Sequence, residues 1–460
     1  MLAQLLFLLA LLACAVGAAA RAERGRGVRL PAMVAYAAMG LVCVLVVLND
    51  FAPFTRGDDS TYYLVSVRTL EGLRAWVDFR QFPGFEQGGY PLLLTWVNQL
   101  AGDSVLARKA VNLFFYLLLA VVWFQVGEAL EGRRTGYAFA AAMLVATPLW
   151  PYWFWLLKDM LIVLLQSAFL LGMVRLVAHG RRRGAWVLIG GATLLLIPLR
   201  SPLVLLNAAV LAGTVVLAGN RSRLRKAGMI AGAAVLLSGL LYVGTRASLL
   251  SALGAQGAGR GLDPESLRTA FQLYRDQGDG FSGPLGVVAF PVLYLFGETA
   301  GLRLDALASR SDVDMAIRGL TALPWIFLGS PLFLYGLVLV ARGRHPDPET
   351  GPAGAPALYE PALRPNAGAG DANSEPGDGA TSPPAARVGW IPLLLFLGLY
   401  AVLAWIVHDT TRWRMPAFPV MVAVAAYAWR CLRAGSRALL LTAWAGALAS
   451  VFVVYYVVVK

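Results

Sequence analysis

The sequence predicts an all-α polytopic membrane protein with about twelve transmembrane helices. Hydrophobic residues occupy 58% of the 460 positions and charged residues only 14%, a balance that soluble globular domains do not show. Many apolar runs approach the length of about 20 residues that an α-helix needs to cross the hydrocarbon core. Ten-residue segments of alternating polarity, the pattern of a transmembrane β-barrel, do not appear.

The apolar runs, considered with their flanking charges, define the individual spans. The predicted spans are 2–20, 30–48, 109–129, 137–150, 157–177, 185–199, 202–219, 228–246, 322–341, 388–407, 416–430 and 438–459. The segment 89–101 is apolar but too short to span, so it is predicted to be an interfacial helix. The first segment lacks the basic region that begins a signal peptide, and we expect it to be retained as a transmembrane helix.

Arginine and lysine residues predict the orientation. Four, two, three, four and three of them lie in the short intervals 21–29, 131–136, 179–184, 220–226 and 430–437. Strict alternation of the twelve spans puts all five intervals on one side, which the positive-inside rule identifies as the cytoplasm. The net charge of +13 therefore reflects topology, and we expect no nucleic-acid partner. A composition rich in Ala, Arg and Gly is typical of GC-rich bacteria, so the expected location is a bacterial cytoplasmic membrane.

Long polar intervals divide the chain into predicted parts. Residues 1–246 form an N-terminal transmembrane module whose first external loop is 49–108. Residues 247–321 form an extracytoplasmic cap that contains polar helical stretches. Residues 322–460 form a C-terminal transmembrane module, and its Pro/Gly/Ala-rich segment 342–387 is predicted to be a disordered cytoplasmic linker.

Four groups of polar residues fall at the outer ends of the predicted spans. The groups are Asp58 with Asp59; Lys158 with Asp159; Arg200; and His408, Asp409, Arg412, Trp413 and Arg414. Because charged groups are costly within the hydrocarbon core, we expect the helix bundle to gather these groups around one extracytoplasmic cavity.

The aspartates Asp58 and Asp59 begin a polar stretch that leads into Tyr62 and Tyr63. Two carboxylates in one partly desolvated site do not both ionise cheaply, so one of them is suited to act as a general base. Alternatively, their oxygens suit Mg²⁺ or Mn²⁺ bound beside a phosphate. A third interpretation is helix capping, because Asp is a favoured N-cap residue and the chain from residue 60 has helical character.

Lys158, Asp159 and Arg200 offer charge at two further helix ends. Lys158 either binds an anion or extends to the membrane interface, and the adjacent carboxylate of Asp159 argues against the second interpretation. Arg200 lies alone between two apolar runs, on the side where the topology rule disfavours a cation. Binding of a phosphate or carboxylate is the leading interpretation for Arg200, and an internal salt bridge is the alternative.

The late turn from His408 to Arg414 combines charge with an aromatic ring. Arg412 and Arg414 are suited to clamp a phosphate, and Trp413 offers a face on which a sugar or lipid can stack. His408 and Asp409 are supporting candidates. The alternative is an interfacial belt of Arg and Trp without a ligand.

The order of these motifs adds a resemblance to a known family. Gly57-Asp58-Asp59 precedes Tyr62-Tyr63, and then follow Gly89-Tyr90-Pro91-Leu92-Leu93 and Ala101-Gly102-Asp103-Ser104 with Arg108 and Asn112. Arg412-x-Arg414-x-Pro416 opens a late span. This arrangement resembles the GT-C membrane glycosyltransferases, above all the branch with protein O-mannosyltransferases and aminoarabinose-to-lipid A transferases. The chain departs from the family by Asp59, where many members have Glu, by the linker 342–387 and by an extra N-terminal span.

The resemblance implies a GT-C-like bundle with extracytoplasmic loop helices and an enzyme that uses a polyprenyl-phosphate-linked sugar donor. The sugar would pass to an extracytoplasmic glycan, lipid or protein, with membrane lipids around the site. An acid in the first external loop is the family's base, which is Asp58 or Asp59 here. The donor phosphate would be bound by Lys158, Arg200, Arg412 and Arg414, supported by Tyr62, Tyr63, Asp159, His408, Asp409 and Trp413. The alternatives are an O-antigen-type glycan polymerase or ligase and a lipid-glycan transporter.

Overall fold

The computed structural model describes residues 2–24, 27–51, 62–67, 85–179, 183–200, 202–218, 320–343, 385–407 and 415–454. Within these ranges the chain is helical and has no β-strand. The helices are α1 (Leu2–Ala22), α2 (Arg29–Phe51), α3 (Phe85–Ala101), α4 (Val105–Glu131), α5 (Arg133–Leu144), α6 (Asp159–His179), α7 (Arg183–Arg200), α8 (Pro202–Ala218), α9 (Ser330–Arg342), α10 (Ala385–Val407), α11 (Phe418–Cys431) and α12 (Ala434–Val454). Residues 62–67 are also helical, and a π-helical segment, Trp325–Gly329, leads into α9.

Six stretches of helix in the described part of the chain are long and apolar enough to cross a membrane. They are Ala3–Ala22, Arg29–Asn49, Val105–Glu131, Asp159–Ala178, Arg183–Arg200 and Leu320–Arg342. The predicted all-α membrane class is thereby confirmed, and the predicted total of twelve spans stays a prediction. The predicted span 228–246, the predicted cap up to residue 319 and the linker from 344 to 384 lie outside the described residues.

Helix α4 is the centre of the bundle. It packs against α1, α2, α3, α5, α6 and α10, and large side chains such as Tyr116, Trp123 and Phe124 are fully buried along it. A helix that is apolar on all sides is suited to such a position. Its 27 residues give a length of about 40 Å, so its two ends are well separated.

Two glycines allow α5 to pack closely on α4. A Cβ atom added at Gly127 would lie 2.8 Å from the Cα of Gly136, and one added at Gly136 would lie 2.6 Å from the carbonyl oxygen of Phe124. Contacts that short leave no room for a side chain, so the backbones of α4 and α5 approach each other closely only because both positions are glycine.

The predicted span 137–150 is corrected. Helix α5 ends at Leu144, and a 3₁₀ turn (Thr147–Leu149) and a short helix (Trp150–Phe154) follow it. The physical reason is Pro148, which lacks a backbone N–H and disfavours helical geometry at Thr147. The 12 residues of α5 span only about 18 Å, so the irregular segment completes the passage across the bundle.

Three of the predicted cytoplasmic intervals meet at one end of the bundle, which we call the basic end. The buried carboxylate of Glu23 accepts a hydrogen bond from the backbone N–H of Leu30 at 3.2 Å and pairs with Arg133 at 3.5 Å. Tyr137 donates a hydrogen bond to the same carboxylate. Arg430 donates to Thr135, which brings the interval 430–437 to this end. These contacts agree with the predicted shared side, and its assignment to the cytoplasm stays a prediction.

Candidate functional site

Charged and polar side chains converge at the other end of the bundle, where α4 and α6 begin and α7 ends; we call it the site end. Ser104 caps α4 there, because its hydroxyl accepts a hydrogen bond from the N–H of Ala107 at 3.2 Å. Helix α3 packs closely on α7, since a Cβ at Gly89 would lie 3.0 Å from both the Cβ and the carbonyl oxygen of Pro198. The site end thus brings together parts of α3, α4, α6 and α7.

Asn112 holds the aromatic turn that precedes α6. Its fully buried side chain donates hydrogen bonds to the carbonyl oxygens of Trp155, at 2.8 Å, and Leu157, at 3.1 Å. Tyr90 donates to the Asn112 Oδ1 at 3.1 Å. Burial raises the pKa of the Tyr90 hydroxyl above its ordinary range, so this group stays a neutral donor. The network fixes the chain immediately before Lys158 and Asp159.

Asp159 and Arg200 form the ion pair that connects the start of α6 with the end of α7. The Arg200 Nη2 lies 3.5 Å from the Asp159 Oδ1, and the side chains are only 12% and 4% exposed. Asp159 belongs to the first turn of α6, where the helix dipole favours a carboxylate. The internal salt bridge named as the alternative for Arg200 is therefore present, and the predicted phosphate-binding role of these residues stays a prediction. Lys158, directly before Asp159, is half-buried.

Arg108 is a fully buried cation in the first turns of α4. Its Nη2 donates a hydrogen bond to Asp103 at 2.8 Å, and its Cζ lies 4.3 Å from the centre of the Tyr63 ring. Asp103 is 60% exposed. The Nε and Nη1 atoms of Arg108 are buried and meet no hydrogen-bond acceptor in the described part of the chain.

Lys109 follows Arg108 and is also fully buried. Its Nζ lies 4.4 Å from the centre of the Phe154 ring and 5.2 Å from the centre of the Trp155 ring. Aromatic faces attract cations, so the turn that Asn112 holds also stabilises this charge. The indole Nε1 of Trp155 is itself buried without an acceptor among the described residues.

Tyr62 and Tyr63 connect the first polar loop to these residues. The Tyr62 ring packs edge-on against Tyr90, with ring centres 5.3 Å apart. Tyr63 covers Arg108, and its hydroxyl lies 3.4 Å from both carboxylate oxygens of Asp103. The two tyrosines predicted as supporting residues therefore contact the site end.

Several predicted site residues lie outside the described part of the chain. They are Asp58, Asp59, His408, Asp409, Arg412, Trp413 and Arg414. The predicted cation site for Mg²⁺ or Mn²⁺ at Asp58 and Asp59 therefore stays a prediction. In the ranges that the structure does describe, no group of three or more His, Cys, Asp or Glu residues is arranged to hold a metal ion.

Sequence reasoning undervalued Arg108 and Lys109. Arg108 and Asn112 contributed to the resemblance, but the predicted span began at residue 109, which left Arg108 in the external loop. The structure starts α4 at Val105 and buries both cations within it. The available signal was two adjacent basic residues at the predicted outer side, where the topology rule disfavours them.

Comparison of the chain with protein families, curated proteins and solved structures found no match.

Proposed function

We propose that this protein is an integral-membrane glycosyltransferase that moves a sugar from a polyprenyl-phosphate donor to an extracytoplasmic acceptor. The observation that carries the proposal is the site end itself. There the bundle buries Arg108, Lys109 and Asp159 beside the partly buried side chains of Arg200 and Lys158. Buried charges are costly in a membrane protein and usually serve a substrate or ion. Among the described residues at this end, four cations face the two carboxylates of Asp103 and Asp159, and this excess of positive charge favours an anionic ligand.

The first polar loop supplies the second part of the argument. Tyr62 and Tyr63 contact the site end, and in the sequence they follow Asp58 and Asp59 by only a few positions. In the proposed reaction one of these aspartates takes the proton of the acceptor hydroxyl. The hydroxyl oxygen then forms a bond to the anomeric carbon of the sugar. The bond from this carbon to the phosphate oxygen breaks, and polyprenyl phosphate leaves with the electron pair.

The basic residues are proposed to stabilise the leaving group of this reaction. Negative charge grows on the leaving phosphate, and fixed cations in a partly desolvated site stabilise such charge more than water does. Arg200 and Lys158 are proposed for this role, together with Arg412 and Arg414 from the late turn. A single displacement of this kind inverts the anomeric centre.

Sugar transfer tests the proposal directly. Membranes that contain the wild type, Asp58→Asn or Asp59→Asn would receive a radiolabelled polyprenyl-phosphate sugar, and labelled product would be separated from donor. We expect transfer by the wild type and a loss of about 100-fold or more in one aspartate variant, because a general base contributes about 10²–10⁴-fold. Equal protein levels in the membranes serve as the control.

Full activity of both aspartate variants would contradict base catalysis and favour an arginine-led polymerase or ligase. The same membranes would then be given polyprenyl-diphosphate glycans. Movement of lipid-linked sugar across the membrane without a new glycosidic bond would favour a transporter instead.

A further inference from the structure

We infer that Arg108 binds a phosphate oxyanion directly, as the headgroup contact for the polyprenyl phosphate of the proposed reaction. The inference rests on the proposed function, and it adds Arg108 to the residues proposed to contact that phosphate. The starting observation is that Arg108 is fully buried while its Nε and Nη1 have no acceptor among the described residues. Native proteins pair nearly all such buried donors, so an orphaned pair on one guanidinium requires an explanation.

Asp103 does not provide that explanation. It accepts one hydrogen bond from Nη2, but 60% of its side chain is exposed, so solvent screens its charge. An arginine kept only for this contact would lose more by desolvation than it gains from a partly hydrated carboxylate. A ligand that brings several acceptor oxygens to the buried side of the guanidinium removes the imbalance.

The position of Arg108 on α4 indicates which kind of ligand. The N-terminal end of a helix carries partial positive charge, so cations there are unfavourable and anions are favourable. The first turns of α4 nevertheless contain two adjacent cations, Arg108 and Lys109, both fully buried. A bound phosphate offsets the repulsion between these cations and the helix N-terminus, because its negative charge interacts favourably with both. Guanidinium groups also match phosphate oxygens in geometry.

The surroundings suit a lipid headgroup rather than a hydrated ion. The ring of Tyr63 covers the guanidinium at 4.3 Å, and the aromatic turn that contains Phe154 and Trp155 lies against Lys109. The indole Nε1 of Trp155 is a further buried donor that meets no acceptor in the described ranges. Donors within an apolar, aromatic wall are what a phosphate on a long hydrocarbon chain requires.

The test is binding by the full-length protein purified in detergent micelles, without acceptor or sugar. The ligands are polyprenyl phosphate, inorganic phosphate and uncharged polyprenol, and the readouts are the dissociation constant and the melting temperature. For the wild type we expect polyprenyl phosphate to raise the melting temperature and polyprenol not to do so. Protection by inorganic phosphate as well would show that the oxyanion alone is recognised, whereas protection by the lipid alone would add the hydrocarbon chain to the recognised ligand.

The decisive variant is Arg108→Met, which removes the guanidinium and keeps most of the apolar length. We expect affinity for polyprenyl phosphate to fall about 10- to 100-fold, because charged hydrogen bonds contribute about 1.5–3 kcal/mol. We expect the melting temperature without ligand to stay the same or rise, since no buried carboxylate loses its partner. Arg108→Lys should bind with intermediate affinity. Arg437→Met, which removes an arginine that lies over Trp429 near the basic end, should bind as the wild type does.

A purely structural Arg108 predicts the reverse pattern. The ligand-free melting temperature would fall in Arg108→Met, while Arg108→Lys would bind with wild-type affinity, and that result would overturn the inference. Failure of the wild type to respond to either phosphate compound would overturn it as well. A wild type that binds polyprenyl phosphate but transfers no sugar would contradict the proposed function and leave the inference standing. Sugar transfer by the wild type, together with unchanged affinity of Arg108→Met for polyprenyl phosphate, would contradict the inference and leave the proposed function standing.

Discussion

The ion pair of Asp159 and Arg200 allows a structural role to be separated from a catalytic one. At 3.5 Å two unit charges attract each other by roughly 5 kcal/mol if the effective dielectric constant is about 20. Desolvation of both side chains offsets part of this attraction. Removing one partner leaves the other as a buried charge, and the expected loss in the free energy of unfolding is about 3–5 kcal/mol for Asp159→Asn.

The double variant Asp159→Asn/Arg200→Gln removes both charges and leaves two neutral amides of similar size. We expect it to recover most of the lost stability, with a coupling energy of about 0.5–3 kcal/mol between the two sites. Stability would be measured by denaturant titration in micelles, and sugar transfer would be measured on the same preparations. If Arg200 also stabilises the leaving phosphate, transfer stays low in the double variant although stability returns.

Recovery of both stability and transfer in the double variant would refute the catalytic part of this reasoning. Arg200 would then serve only to hold α7 against α6. Failure to recover stability would refute the structural part, because the ion pair would not be the source of the loss. Expression and micelle size, compared with the wild type, control for misassembly.

Three further predictions concern packing and protonation. Glu23→Gln should lower the free energy of unfolding by about 1–3 kcal/mol, measured by denaturant titration, because it removes the carboxylate shared by three elements of the basic end. Gly136→Ala should destabilise by about 1–3 kcal/mol through overpacking, whereas Gly191→Ala, with no atom within 4 Å of the added Cβ, should be neutral or stabilise slightly; equal melting temperatures would contradict the close approach of α4 and α5. Burial raises the pKa of Tyr90, so its contribution to stability is complete below about pH 10 and is lost as the pH rises further. Tyr90→Phe should therefore be less stable at neutral pH and show a smaller alkaline decline in melting temperature.

The sequence allowed the helices to be placed but not the partners of their charged ends. Apolar length and proline positions depend on local chemistry, so the bounds of α2 and α6 lie within a few residues of the predicted spans. The proximity of Asp159 and Arg200 also followed from topology, because alternating spans return to the same side. Which charged side chains contact each other at one end of the bundle depends on how the helices pack, and the sequence does not show this directly. A basic pair such as Arg108 and Lys109 looks in sequence like an interfacial belt, and only the assembled bundle shows that both are buried.

The two ends of the bundle use arginine in different ways, and this difference bears on function. At the basic end, Arg133 pairs with Glu23, and Arg430 donates to Thr135. Arg175 donates to Gln125 in the half of α4 that leads to the same end. Each of those side chains meets at least one acceptor supplied by the fold, although the Nε of Arg133 has no hydrogen-bond acceptor among the described residues. Arg108 instead meets one exposed carboxylate and leaves two buried nitrogens without acceptors among the described residues. Arg108 is fully buried, whereas the Arg133 side chain is 33% exposed and reaches solvent. The imbalance at Arg108 is therefore best explained by a ligand that completes the hydrogen bonds, and an anion is the ligand that the local charge favours.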